Sequence, residues 1–309
     1  ATGVVALCSA GAQADALATS VVTLNNFILS GDGGTNALDA SAICNLDGCL
    51  PDEGSDILVT SFTTNADAGA SIDTIGSAPR DTQRSASDPL PLDTYACVGD
   101  CAAKPDNSFL QMVSSGTGQP DTTYAIGDTA EAGSPVDNVP VAFDPETGEV
   151  ITTLGAPATI ATASYVSLDS TGVGSADSNQ TLTAEWVIVA QEDIELTISF
   201  DAIAYLEAWV TDGVKESADA TYSIQFTVSS IVDEVATRIF FWQPNNDPNG
   251  ESSDSQDDLP LNYGVGTSAS SPLAYCGLGC DGLDEGALGQ FATGSYSATL
   301  NTLLAQGGT

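Results

Sequence analysis

The sequence predicts an all-β protein: an antiparallel β-sandwich, jelly-roll-like, with long disulfide-pinned loops. Three observations lead there. The first is the alternation within residues 181–228, where Leu182, Ala184, Trp186 and Ile188 share one face of an extended chain and Thr183 and Glu185 the other. The phase continues through Ile194, Leu196, Ile198, Phe200, Ala202, Ala204, Leu206, Ala208 and Val210. It resumes after Asp212-Gly213 as Ala220, Tyr222, Ile224, Phe226 and Val228. Successive side chains on a strand point to opposite faces, so each run describes a half-buried strand. Three runs joined by acidic or glycine-containing turns predict an antiparallel meander with one face on a core. Second, short apolar runs recur along the whole chain between clusters of Gly, Pro and Asp. Third, no run combines helical periodicity with caps over three turns, and no repeat of fixed period is present.

Taken in order, residues 1–14 form an uncharged arm of small and apolar residues. It reads in two ways. Ala12-Gln13-Ala14 has the form of a secretory cleavage site. Alternatively, the arm is a donor segment that completes the sheet of a neighbouring subunit, with Val4, Val5 and Leu7 as inserted anchors and Cys8 touching the acceptor. Packing of the arm on its own domain competes with donation. Residues 15–309 are read as a single large β-sandwich domain. Its first strand spans 17–29, and a Gly/Asp-rich loop over 31–51 follows. A second strand at 57–63 continues through 72, while 79–105 reads as irregular. Short strands are expected at 109–112 and 124–126. Residues 141–143 and 150–153 flank a hairpin turn with Pro early and Gly late. Residues 156–168 form a small-residue strand or a pair of strands. After the alternating block come 238–242, an acidic loop at 245–258, 261–265 and 291–304.

Charge removes several function classes. With 42 Asp+Glu against 5 Lys+Arg the chain carries a net charge of −37. Nucleic acid is excluded as a partner, because phosphate binding needs clustered Lys and Arg, and anionic membrane surfaces are disfavoured for the same reason. No stretch of about 20 apolar residues exists, so the chain is not membrane-spanning. Such a charge is tolerable where salt screens it or divalent cations bind it, or simply as a solvated coat. Hydrophobic residues at 42% and a mean hydropathy of +0.07 suffice for a core.

Six of the seven cysteines fall in close pairs across turn-forming residues: Cys44/Cys49, Cys97/Cys101 and Cys276/Cys280. Without His and without Cys-x-x-Cys, zinc is disfavoured, so three local disulfides of an exported protein are expected. Cys8 remains as a buried thiol or an intermolecular bridge.

Catalysis finds little footing. A nucleophilic triad needs a base, usually His, and there is none. Glycoside hydrolysis needs only two carboxylates, but 42 acidic residues drown that signal. The chain is therefore read as a non-enzyme without a certain cofactor. Calcium is the candidate ion, since Asp247, Asn249, Glu251 and Asp254 offer alternate oxygen ligands around Gly250. Asp281, Asp284 and Glu285 form a weaker set. Asn179 heads an Asn-x-Thr acceptor for N-glycosylation. Trp186 lies in core phase, whereas Trp209 lies out of phase and suits a surface contact, with Tyr205 as a partner in a sugar-stacking platform.

The segments ALATSVVTLNNFIL, YACVGDC, ISFDAIAYLEAWV, ATYSIQFTV, FFWQP and GSYSATLNTLL together resemble exosortase-dependent surface proteins of the PEP-CTERM class. The resemblance implies a secreted, extracellular or cell-surface protein, often matrix- or biofilm-associated, without enzymatic residues to carry over. The chain departs from that class in ending at LLAQGGT, without the Pro-Glu-Pro, apolar helix and basic tail. The expectation is a structural subunit of a filament or biofilm matrix, a homopolymer joined by subunit–subunit contacts. A secreted carbohydrate-binding module, with polysaccharide as partner, is the alternative.

Overall fold

A computed structural model describes residues 16–31, 36–40, 42–45, 48–51, 56–73, 75–85, 92–103, 105–109, 122–137, 139–143, 146, 150–169, 176–190, 193–210, 218–232, 235–244, 261–266, 273–276 and 292–300. All-β architecture is what they show: antiparallel ladders throughout, with a 3-10 turn at Cys101–Ala103 as the helical piece among the described residues.

Two sheets face each other. The larger runs Leu273–Cys276, Leu196–Val210, Ala16–Gly31, Ala158–Leu168, Tyr124–Ala132, Leu92–Gly99, and Ala292–Thr299 also pairs with Leu196–Val210. The smaller places Ile57–Ile72 between Ala176–Ala190 on one side and Gly76–Ser77 and Asp81–Ser85 on the other. Period two decides what lies between them. Ala66, Ala68, Ala70 and Ile72 turn inward and are buried, as are Ala18, Val22, Ala125 and Val166 of the larger sheet. Small side chains let the layers approach closely enough for Ser178 to hydrogen-bond across them, to Ser164 at 2.7 Å and to the carbonyl of Ile126. One cluster of buried apolar residues runs from Ala16 to Leu300.

The alternating block keeps its phase and loses its meander. Every even position from Ile194 to Val210 is buried, and Thr183 and Glu185 are exposed, as the pattern requires. The three runs do not pair with one another, however. Ala176–Ala190 pairs with Ile57–Ile72, Leu196–Val210 with Ala16–Gly31, and Asp219–Ser223 with Asn262–Gly266. Alternation fixes the face a side chain takes, not the strand beside it, and here each connection crosses to a different sheet. The third run also divides, with Phe226–Val232 turning back onto Val235–Trp242. That hairpin reaches the larger sheet through rings: Phe200 lies 5.3 Å from Phe226 and 5.7 Å from Trp242, and 5.2 Å from Tyr296 of the neighbouring strand Ala292–Thr299, centroid to centroid.

Other expectations fare unevenly. The strands expected at 17–29 and 57–72 are present, and the hairpin expected at 141–143 and 150–153 is present as Val139–Phe143 paired with Val150–Leu154. Residues 156–168 hold one strand, Ala158–Leu168. The stretch 79–105 is not irregular, since it contains Asp81–Ser85 and Leu92–Gly99. In the latter, Leu92, Thr94, Ala96 and Val98 point inward, and Thr and Ala at core positions blur the hydrophobic signal. Leu92–Gly99 closes one end of the larger sheet. Three of its outward backbone groups, the N–H and C=O of Asp93 and the N–H of Tyr95, are taken up by side chains of Asp81–Ser85. Asp93 N–H donates to Gln83 Oε1 at 3.3 Å, Gln83 Nε2 donates to the Asp93 carbonyl, and Tyr95 N–H donates to Asp81 Oδ2 at 3.1 Å.

Candidate functional site

The larger sheet is covered on its outer face as well. Leu92–Gly99 and Tyr124–Ala132 pair with Tyr95 opposite Asp128 and Asp93 opposite Ala130. Alternation then sets Asp93, Tyr95 and Cys97 on the same face as Ile126 and Asp128. There a second apolar cluster forms from Val21, Tyr124, Ile126, Ala163, Tyr165 and Tyr205. After Cys97 the chain folds back over this face. Gly99 takes φ +91°, and a Cβ there would come within 2.2 Å of the Thr123 carbonyl, so only glycine fits the turn. Cys97 and Cys101 are joined as a disulfide with Cα atoms 5.8 Å apart. Beyond the 3-10 turn, Phe109 settles against the outer cluster.

That return brings Asp106 and Asn107 onto Asp93 and Asp128. Asn107 holds a left-handed backbone (φ 60°), a conformation asparagine tolerates better than most residues. Its N–H donates to Asp128 Oδ2 at 2.9 Å, and its side-chain Nδ2 donates to Asp93 Oδ2 at 2.9 Å. One carboxylate oxygen from each of Asp93, Asp106 and Asp128 lies within 4.8 Å of the other two. Asp128 is 2% exposed. The remaining oxygens, Asp128 Oδ1 and Asp93 Oδ1, are buried and accept no hydrogen bond.

The electrostatics follow from burial and like charge. Burial first, then the charge of Asp106, pushes the Asp128 carboxyl up to about 7, with Asp93 adding to the rise and the Asn107 and Ser108 N–H groups opposing it. Asp106 is raised by burial and then by Asp93. Tyr95 is raised by burial, then by Asp128 and Asp106. A cleft of about 630 Å³ adjoins the cluster, lined in part by Thr23, Asp93, Asn107, Phe109 and Glu131. Chemically, such an arrangement can share protons among its carboxyls or surround a hard cation with oxygen.

The residues singled out from sequence are placed as follows. Cys97–Cys101 is a disulfide. Cys44 and Cys49 stand directly opposite each other on Ala42–Asn45 and Gly48–Pro51. Cys276 pairs with Leu206, and Cys280 lies outside the described residues. So do Val4, Val5, Leu7 and Cys8, the set Asp247, Asn249, Glu251 and Asp254, and the set Asp281, Asp284 and Glu285. Asn179 sits in strand Ala176–Ala190, in register with Gly69. Trp186 is half-buried and packs on the main core. Trp209 is half-buried on the outer face, in register with Leu17. Tyr205 is 3% exposed and donates its hydroxyl to Glu207 at 2.8 Å, so it makes no open stacking platform with Trp209.

Asp93, Asp106 and Asp128 were not anticipated. One signal was available: Asp128 occupies a core-phase position in Tyr124-Ala125-Ile126-Gly127-Asp128, where a lone carboxylate needs a reason. No family model matches the chain, and no curated protein or solved structure matches it.

Proposed function

We propose that this chain is a structural protein of an extracellular surface, a subunit of a filament or matrix that carries tension along its strands. The reading rests on one observation. Ala16–Gly31 and Ala292–Thr299 flank Leu196–Val210 on opposite sides, both antiparallel to it and therefore parallel to each other. Ala16 is level with Val210, while Thr299 is level with Thr197. Tension entering at Ala16 and leaving at Thr299 thus acts from opposite ends of the central strand, roughly 40 Å apart at strand rise. The pull runs along the ladder and loads its hydrogen bonds together, whereas a pull across a ladder opens them one at a time. Ala16–Gly31 is held by 14 residue pairs to Leu196–Val210 and 10 to Ala158–Leu168. The acidic surface and the resemblance to exported surface proteins are in keeping with this role, and residues 1–14 are the proposed joint between subunits.

Single-molecule force spectroscopy tests the reading within one protein. Handles flanking residues 16 and 300 load the ladder in shear. Handles flanking 16 and 211 pull the paired residues Ala16 and Val210 directly apart and unzip it. The shear arrangement is expected to rupture at several-fold higher force, and equal forces in the two geometries would end the load-bearing argument. For assembly, removal of residues 1–14 should leave a folded monomer that forms no filaments in negative-stain images. Undiminished filaments would dispose of the donor arm.

A further inference from the structure

The outer-face acidic cluster has a use that the load-bearing reading does not require. We infer that Asp93, Asp106 and Asp128 form a calcium site that fastens residues 105–109 to the larger sheet.

Two independent observations meet here. The first is geometric. Three carboxylate oxygens all lie within 4.8 Å of one another, and two oxygens on opposite sides of a calcium ion at about 2.4 Å each are separated by about that distance. The donors are all hard oxygens, the set that suits calcium rather than a thiophilic metal. The second is an unmet need. A carboxylate taken out of water requires a partner, yet Asp128 is 2% exposed and its Oδ1 accepts no hydrogen bond. Asp93 Oδ1 is buried in the same condition. Asn107 donates to Asp128 Oδ2 and Asp93 Oδ2, which leaves the Oδ1 atom of each carboxylate buried without a hydrogen bond. The charged groups acting on Asp128 among the described residues are Asp106 and Asp93, both acidic.

The elements supplying the ligands give the site its effect. Asp93 and Asp128 belong to paired strands, whereas Asp106 arrives on the segment that follows the Cys97–Cys101 disulfide. A bound ion would therefore add a tie between that segment and the sheet, beyond the disulfide, the Asn107 hydrogen bonds, the packing of Phe109 and the bond its carbonyl accepts from the Tyr165 hydroxyl. Calcium binding elsewhere in this acidic chain would not have that local signature.

The test uses the full chain stripped with chelator and calcium as the probe. Hydrogen exchange is followed in a peptide covering residues 101–109, alongside thermal melting and calorimetric titration. In the wild-type protein, millimolar calcium should slow exchange in that peptide by about tenfold or more and raise the melting temperature by mass action. Asp128→Asn and Asp106→Asn should each lose one equivalent of calcium and the calcium-dependent protection. Asp106 is exposed, so its variant keeps the fold and guards the test should Asp128→Asn misfold. An exchange rate in 101–109 that ignores calcium in the wild-type protein overturns the site. So does a full set of bound equivalents in Asp106→Asn.

Discussion

Phe200→Ala is expected to lose about 3–5 kcal/mol of folding stability, the range for truncating a buried phenylalanine. Phe200 is 3% exposed and is the ring at which three parts of the chain meet. It stacks on Tyr296 at an interplanar angle of 18°, lies against both Phe226 and Trp242 of the hairpin, and meets Phe27 edge-on at 6.4 Å. Each aromatic contact adds about 0.5–1.5 kcal/mol beyond area burial, so the loss should reach the upper part of that range. Phe200→Leu keeps most of the volume and should cost markedly less. Urea unfolding followed by tryptophan fluorescence reads both, since Trp242 is fully buried beside the substitution. If alanine proved as harmless as leucine, the hairpin would not be held to the larger sheet through this ring.

Asp128 gives the second large effect, and its sign is set by where the proton is held more tightly. The folded chain raises that carboxyl from about 3.8 to about 7, chiefly by burying it. Stability attached to the proton is therefore fully present below the unfolded value. It is lost as pH climbs from about 4 to about 7, and the loss is complete above that. At about 1.4 kcal/mol per unit the whole swing is on the order of 4 kcal/mol. Asp128→Asn has no such proton to lose. In chelator the variant should gain on the wild-type protein steadily between pH 4 and pH 7, then hold a constant lead. Denaturation midpoints of the two proteins across that range give the difference directly and cancel the background from the other carboxylates. Parallel curves would mean that Asp128 is solvated or otherwise paired.

How far the sequence could be read differs from one part of the chain to the next. The buried even positions from Ile194 to Val210 were legible because alternation is a local property. The neighbours of that strand were not. Ala16–Gly31 lies some 180 residues away in sequence, and nothing in residues 191–195 says that the chain will cross the core rather than turn back. Leu92–Gly99 was lost for a different reason: Thr94 and Ala96 are fully enclosed without being strongly apolar. The acidic cluster stayed hidden because Asp93, Asp106 and Asp128 sit among 42 acidic residues with no spacing rule. Only the disulfide turn and the strand register bring them together. The Cys97–Cys101 pairing was legible because four residues of separation leave a turn few alternatives.

The capped edge at Leu92–Gly99 bears on how this chain behaves when crowded. Open edges are where one sheet recruits another, the first step toward cross-β deposits. At Asp93 both recruiting groups, and at Tyr95 the N–H, are already spoken for by Gln83 and Asp81, and the carboxylate of Asp81 stands in the path of an arriving strand. That rim is a poor seed for amyloid. Gln83→Ala combined with Asp81→Ala would reopen it, turning a protected margin into a templating surface without touching the core.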